Sequence, residues 1–313
     1  MANLYLTHKC NRGCAFCFAR KVLSESGADV NELLSISDIE KLIEHFRGQL
    51  PELGILGGEP FLYPYFGELM ELLKKNMIIP KIFTSATDPM PKYLEEMDFR
   101  TSPVGFIVNV NVRESYSDAK YENLMKFFDK FHAVASLSYT ILDLDADVSF
   151  LFDLIIKHNL ARSIRTGVAL PIYKGGNKFV ERDDYKRFGD FYEKFARRAA
   201  SEQVVLGMDC GFTPCMFTPK QVGALQRCGV IMAFCCGAAL DIGPGLQSWN
   251  CFPLFRLHRE NILNYDTVEH AKRAFEAKMD SYFDKVGIFD DCDSCKYFKN
   301  GFCNGGCKSY KSL

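Results

Sequence analysis

The 313-residue sequence has no surplus of either charge: 38 Lys and Arg stand against 39 Asp and Glu, a net of −1. That balance excludes a polybasic nucleic-acid surface and an acidic solvating tail. No apolar run is long enough to cross a bilayer, and the N-terminus, MANLYLTHKC, lacks a signal-peptide core. A cytoplasmic location is therefore expected, with neither membrane nor nucleic acid among the partners. The most informative absence is a gap. The 13 cysteines include none in the 192 residues between Cys17 and Cys210; three lie within Cys10–Cys17 and ten within Cys210–Cys307. An odd count without an export signal argues against disulfides, since cytosolic thiols stay reduced. Two separate metal-binding regions account for the clustering.

With 48% hydrophobic and 25% charged residues, the chain can bury a full core. Through the first two thirds, short apolar runs alternate with amphipathic helices. Strands are expected at Asn3–Thr7, Leu53–Leu56, Lys81–Thr84, Val104–Val112, Ser136–Leu142 and Ser163–Leu170. The first helix opens at a capping box, Ser37-x-x-Glu40, and the last spans Tyr185–Ala200. This alternation implies α/β structure with a parallel sheet, and six such units make a partial (β/α)6 TIM-type barrel over 1–208. Near Val204–Met208 the pattern breaks. Residues 209–313 read as a small Cys-rich extension, with one helix at Thr267–Lys285 and a tail, Asp290–Lys311, too small to fold without a metal.

The segment Cys10-Asn-Arg-Gly-Cys14-Ala-Phe-Cys17 places three thiols on one polar loop, spaced C-x3-C-x2-C. Four cysteines complete a cubane cluster; three leave one iron open to an outside ligand. Zinc, with His8 as a further ligand, is the alternative. The loop follows the first strand, at the strand C-terminal face where barrels of this kind place their chemistry. The long connection Phe18–Ser37 points the same way.

C-x3-C-x2-C with Phe16 before its third cysteine, followed one unit later by Gly57-Gly58-Glu59-Pro60 at the end of the second strand, resembles the radical S-adenosylmethionine (radical SAM) superfamily. The resemblance implies a [4Fe-4S] cluster on Cys10, Cys14 and Cys17 with S-adenosylmethionine at the open iron. It implies reductive cleavage of that sulfonium to methionine and a 5′-deoxyadenosyl radical, which abstracts a substrate hydrogen. The electron would come from a donor such as flavodoxin or ferredoxin. Gly57 and Gly58 would let backbone carbonyls approach the methionine ammonium, and Glu59 would accept from it. Phe16 and Pro60 join this cofactor-binding set as members of the two motifs. Thr84, Ser85, Asn109 and Asn111 are candidates for the ribose or carboxylate, and Arg165 for the carboxylate.

The tail Cys292-x2-Cys295-x7-Cys303-x3-Cys307, with Cys235 or Cys236, Gly245 and Cys251 upstream, resembles the SPASM/twitch extension of radical SAM enzymes. That likeness implies one or two auxiliary [4Fe-4S] clusters. Three departures stand out: Gly245 to Cys251 is one residue too long, the third spacing is seven rather than five, and no cysteine follows Cys307. One ligand count gives Cys228, Cys235 or Cys236, Cys251 and Cys307 to a first cluster. Cys292, Cys295 and Cys303 then hold a second with one iron open or bound by a non-cysteine group. Another count has a single auxiliary cluster, the other thiols binding zinc or nothing; the tail alone also fits a zinc knuckle. Between barrel and extension, Asp209-Cys210-Gly-Phe-Thr-Pro-Cys215 offers a catalytic base in Asp209 and a hydrogen-atom donor in Cys210 or Cys215. A structural turn or extra cluster ligands are the alternatives there.

Enzymes with this extension most often modify peptides or proteins, so RiPP-type maturation such as epimerisation or crosslinking is the expected reaction class. A small molecule or sugar substrate is one alternative, and a non-catalytic iron–sulfur or zinc scaffold another. A first strand at residue 3 leaves no room for a leader-recognition domain. A peptide is therefore expected to bind barrel and extension directly, or to arrive with a separate leader-peptide-binding protein.

Overall fold

The computed structural model describes residues 2–19, 29, 31–171, 177–237, 239–283 and 286–312. Seven strands follow one another along the chain: β1 (Ala2–Tyr5), β2 (Glu52–Leu56), β3 (Ile79–Thr84), β4 (Gly105–Asn109), β5 (Ala135–Ile141), β6 (Ser163–Val168) and β7 (Val205–Met208). Each pairs in parallel with the next. On the other side of β1 lie β8 (Leu240–Ile242), also parallel, then β9 (Gln247–Trp249) and β10 (Glu260–Asn261), which are antiparallel. The full order is β10-β9-β8-β1-β2-β3-β4-β5-β6-β7, an unclosed barrel that ends at β10 on one side and at β7 on the other, where Ile231 bridges to Gly207.

Alternation along each strand sorts its side chains to two faces. On β4, Phe106 and Val108 are buried while Gly105, Ile107 and Asn109 remain half-buried. The buried face meets the connecting helices. Phe106 packs against Phe127 and Phe131 of the Asp118–Phe131 helix, with ring centroids 4.9 and 4.7 Å apart. Removing each such ring from water contributes about 2–3 kcal/mol. That packing fixes which face of the sheet is left for polar residues.

Six strands are expected from the sequence and the sheet carries more. The short β7 continues it where the periodicity breaks, and β8 adds a strand beyond β1. Runs of three or four residues carry too few repeats to register as a period. The first helix, Ile36–His45, is capped by Ser35, whose hydroxyl accepts from Asp38 N at 3.1 Å; Ser37 lies inside the helix, and its expected capping box does not form. A capping box does form at Thr218 and Gln221, opening the Pro219–Arg227 helix within a segment that showed little periodicity.

Candidate active site

Beyond Tyr5 the chain leaves β1, and the cysteine loop begins against the end of β2. Gly58 N donates to Thr7 O and Glu59 N to Lys9 O, both at 2.8 Å. The closeness needs glycine. A Cβ on Gly58 would stand 2.3 Å from Lys9 O, 2.6 Å from Lys9 C and 2.8 Å from Cys10 Cβ; one on Gly57 would meet Thr7 O at 3.0 Å. The loop is also tied from other sides. Asn11 hydrogen-bonds Asp88, Lys120 Nζ donates to Asn11 O at 3.0 Å, and Lys178 N donates to Ala15 O at 3.2 Å. Arg12 lies 4.8 Å over the Tyr116 ring.

Cys17 N donates to Cys14 O at 3.1 Å, a turn that places these two cysteines on one short loop. Cys10 reaches solvent, whereas Cys14 and Cys17 are half-covered. Desolvation raises the thiols of Cys10 and Cys14, and the neighbouring cysteines add to the rise. Such mutual opposition is relieved when thiolates share a cation. The Tyr5 hydroxyl is buried beside Cys10 and Cys17 with no hydrogen-bond partner. A bound group with acceptor atoms would satisfy it, so the three thiols and this orphaned donor fit an iron–sulfur cluster.

Glu59 is buried, and all four lone-pair directions of its carboxylate are taken. Oε1 accepts from Thr84 Oγ1 at 2.5 Å and Phe61 N at 3.3 Å; Oε2 accepts from Ser85 N at 2.9 Å and Ser85 Oγ at 2.6 Å. Burial raises its pKa and these four donors oppose the rise. Glu59 thus joins the ends of β2 and β3, and caps the Pro60–Leu62 turn in which buried Pro60 is the first residue. Thr84 and Ser85 spend their hydroxyl protons on Glu59 rather than on a ligand. The Phe61 contact is the longest of the four, and it is the one an incoming ammonium would displace at least cost.

Register places Asn109 beside Ser138, Ser138 beside Arg165, and Arg165 beside Gly207, so these four share one face of the sheet. Arg165 is paired with Asp209 at 2.5 Å and lies 5.4 Å over Phe83. The expected anion binder and the expected base therefore engage each other. Asn111 lies past the end of β4; with its amide turned, it accepts from Arg12 Nη2 at 2.9 Å, which brings it to the cysteine loop. Phe16 is half-buried in that loop.

Three residues here escaped sequence reasoning: Tyr5, Asn3 and Asp241. Tyr5, Trp249, Phe252 and Phe255 form a small aromatic cluster separate from the main core. The period-two alternation of β1 already puts Asn3 and Tyr5 on one face. Asp241, on β8, is buried and accepts from Asn3 Nδ2 at 2.8 Å, while Asn3 Oδ1 has no partner. Burial raises the Asp241 pKa to about 6. The folded chain therefore holds that proton more tightly than the unfolded chain, and burying the charge costs stability. The cost is absent below about pH 4 and is complete above the folded-state pKa. Asp241→Asn is expected to stabilise the fold by roughly 3 kcal/mol at about pH 8, because its amide donates to Asn3 Oδ1. Denaturation at about pH 8 and at about pH 4 checks it: the gain should vanish at the lower value.

The C-terminal cysteines form two neighbourhoods. Cys307 hydrogen-bonds Cys236, and its own thiol is raised by donating there, whereas Cys236 is lowered. Half-buried Cys251 feels both Cys236 and Cys210. Asn304 clasps the Cys236 backbone, accepting from its N at 3.0 Å and donating to its O at 2.9 Å. Cys210, Cys236, Cys251 and Cys307 thus share one region. In the other, Cys215, Cys292, Cys295 and Cys303 line a single cavity. Cys228 stands apart, capping the Pro219–Arg227 helix and packed on the main core. Cys235 is exposed and points its thiol at Phe302 O, 3.9 Å away. Among the described residues, no three His, Cys, Asp or Glu side chains are set around a single metal ion.

The profile of the radical SAM superfamily matches residues 4–131, which hold the cysteine loop, the Gly57–Pro60 turn and the first four strands. Residues 4–131 therefore carry a radical SAM domain. No curated protein matches it. Streptococcus suis SuiB bound to S-adenosylmethionine superposes with a TM-score of 0.68 at 14% identity, covering 98% of this chain and 72% of SuiB. SuiB bound to its precursor peptide SuiA gives 0.69 at 14%, covering 98% and 71%. Native anSMEcpe with bound AdoMet gives 0.68 at 15%, covering 98% and 89%. At these identities the likeness is one of fold, and it extends beyond residue 131 through the Cys-rich region. Among the described residues, no helix is long and apolar enough to cross a membrane.

Proposed function

We propose that this enzyme cleaves S-adenosylmethionine and uses the resulting radical to abstract a hydrogen atom from a peptide or protein. One observation carries the reading: three mutually opposed thiols are pinned by Gly58 to the end of β2, beside a buried hydroxyl with no partner. Cys10, Cys14 and Cys17 would hold the cluster, and Gly57 and Gly58 would let the nucleotide approach the backbone. Once bound, the cluster would supply the single electron that cleaves the sulfonium to methionine and a 5′-deoxyadenosyl radical, and that radical would take a hydrogen atom from the substrate. The chain's own residues supply the rest. Glu59 keeps the ends of β2 and β3 in register, and Arg12, Tyr116 and Asn111 orient the loop. Arg165 and Asp209 form a neutral pair on the sheet face, where the substrate would lie. The neighbourhood of Cys210, Cys236, Cys251 and Cys307 suits an auxiliary [4Fe-4S] cluster. Cys210 stands between the Arg165–Asp209 pair and the Cys236–Cys251 side of this region, a place that suits a cluster ligand.

The peptide class draws support from SuiB, which binds its precursor peptide on this fold. An oxygen-protected, reduced preparation is to be given S-adenosylmethionine and deuterated peptides from the reading frames flanking its gene. Deuterium should appear in 5′-deoxyadenosine, and the peptide mass or stereochemistry should change. Cleavage that never takes deuterium from any such peptide, but takes it from a labelled sugar, would replace this substrate class.

A further inference from the structure

We propose that Cys215 is the fourth ligand of a second auxiliary cluster, completing a site with Cys292, Cys295 and Cys303. The inference rests on the auxiliary-cluster reading above and deepens it. With Cys307 beside Cys236, Cys292, Cys295 and Cys303 supply three of the four thiols that a closed cluster takes. The fold makes up the deficit from upstream.

Cys215 sits in the Pro214–Met216 turn, just past β7, 77 residues before Cys292 in the chain. It lines the same cavity as Cys292, Cys295 and Cys303. The remaining walls are largely apolar and include Pro214, Ile288, Phe289 and Phe298. Four cysteines lining one largely apolar cavity give the ligand count of a cubane cluster with no open iron. Cys215 is exposed and Cys303 half-buried.

The tail packs tightly on itself and on Thr213, the residue that precedes this turn. A Cβ on Gly306 would meet Ile288 Cδ1 at 2.6 Å and Thr213 Cγ2 at 3.1 Å; one on Gly305 would meet Gly287 Cα at 2.8 Å. Further fastenings reach the barrel. Arg182 pairs with Asp291 at 2.5 Å and covers the Phe289 ring at 4.3 Å, and Tyr310 OH donates to Val180 O at 3.1 Å. Cys295 N donates to Cys292 O and Cys303 N to Tyr297 O, both at 2.9 Å, which fixes the backbone that carries the three tail cysteines. A site closed by four cysteines has no open iron, so it passes electrons or braces the tail and does not bind substrate.

The test uses the full chain with Cys10, Cys14 and Cys17 changed to Ala, so that the remaining iron is auxiliary. Purified without oxygen, this background should hold about eight irons per chain. Adding Cys215→Ala should lower that to about four, or leave the electron paramagnetic resonance signal of an oxidised three-iron cluster. Cys228→Ala should change neither iron nor spectrum. Should Cys215→Ala not fold, Cys215→Ser decides: an oxygen ligand should keep iron while altering the reduced-cluster spectrum. Iron and spectra that match the background in whichever Cys215 variant folds would overturn the proposal. Stoichiometric zinc in place of the second cluster would overturn it too. Cleavage of S-adenosylmethionine by Cys215→Ala in the otherwise native chain is scored separately, so the radical chemistry can stand if this assignment fails.

Discussion

Gly58→Ala is expected to remove the iron of the N-terminal loop, about four atoms per chain, and to cut S-adenosylmethionine cleavage by at least on the order of 100-fold. The cause is space and not backbone freedom. Gly58 needs no left-handed conformation, but its Cβ would press on the Lys9 carbonyl and Cys10 Cβ. Backbone atoms cannot swing away as a side-chain tip can. The Gly58 N to Thr7 O and Glu59 N to Lys9 O hydrogen bonds would open, and Cys10 would move with them. Gly223→Ala is the matched control, since its added methyl meets only the Arg227 guanidinium at 3.4 Å. Iron analysis and chromatographic detection of 5′-deoxyadenosine on both variants check the difference.

Glu59→Ala is expected to cost about 3–5 kcal/mol of stability, the scale for removing one partner of a buried, hydrogen-bonded charge. It strands two hydroxyls and two backbone N–H groups at the ends of β2 and β3, each worth about 1–3 kcal/mol when left unsatisfied. Glu59→Gln keeps the shape and one acceptor oxygen, so its loss should be smaller, with the Ser85 donors now facing an amide. Equilibrium denaturation of the two variants should rank them in that order. Equal losses would mean that shape, and not the carboxylate, holds the strands together.

The cysteine loop and the Gly-Gly-Glu-Pro turn were legible because they are local: spacing along the chain sets the thiols on one turn, and the glycines follow directly. The early βα units were legible because their helices are long enough to show a period. What the sequence left open depends on contacts between distant segments. Thr84 and Ser85 read as ligand-binding strand ends until Glu59, some 25 residues earlier, is seen to occupy them. Arg165 and Asp209 read as two separate functional groups until register and the turn after β7 pair them. Cys215 lies far from the tail in sequence and beside it in space. The strands β7 and β8 were too short to announce themselves, and Asp241 gave no sign within a three-residue strand that its charge would be buried.

The most direct measurement follows 5′-deoxyadenosine and methionine in iron-loaded protein, reduced with dithionite and given S-adenosylmethionine under strict exclusion of oxygen. Both products should form in equal amounts, and the cluster spectrum should shift when the nucleotide is added. A fully loaded N-terminal site that forms neither product, with a spectrum unmoved by the nucleotide, would contradict the assignment.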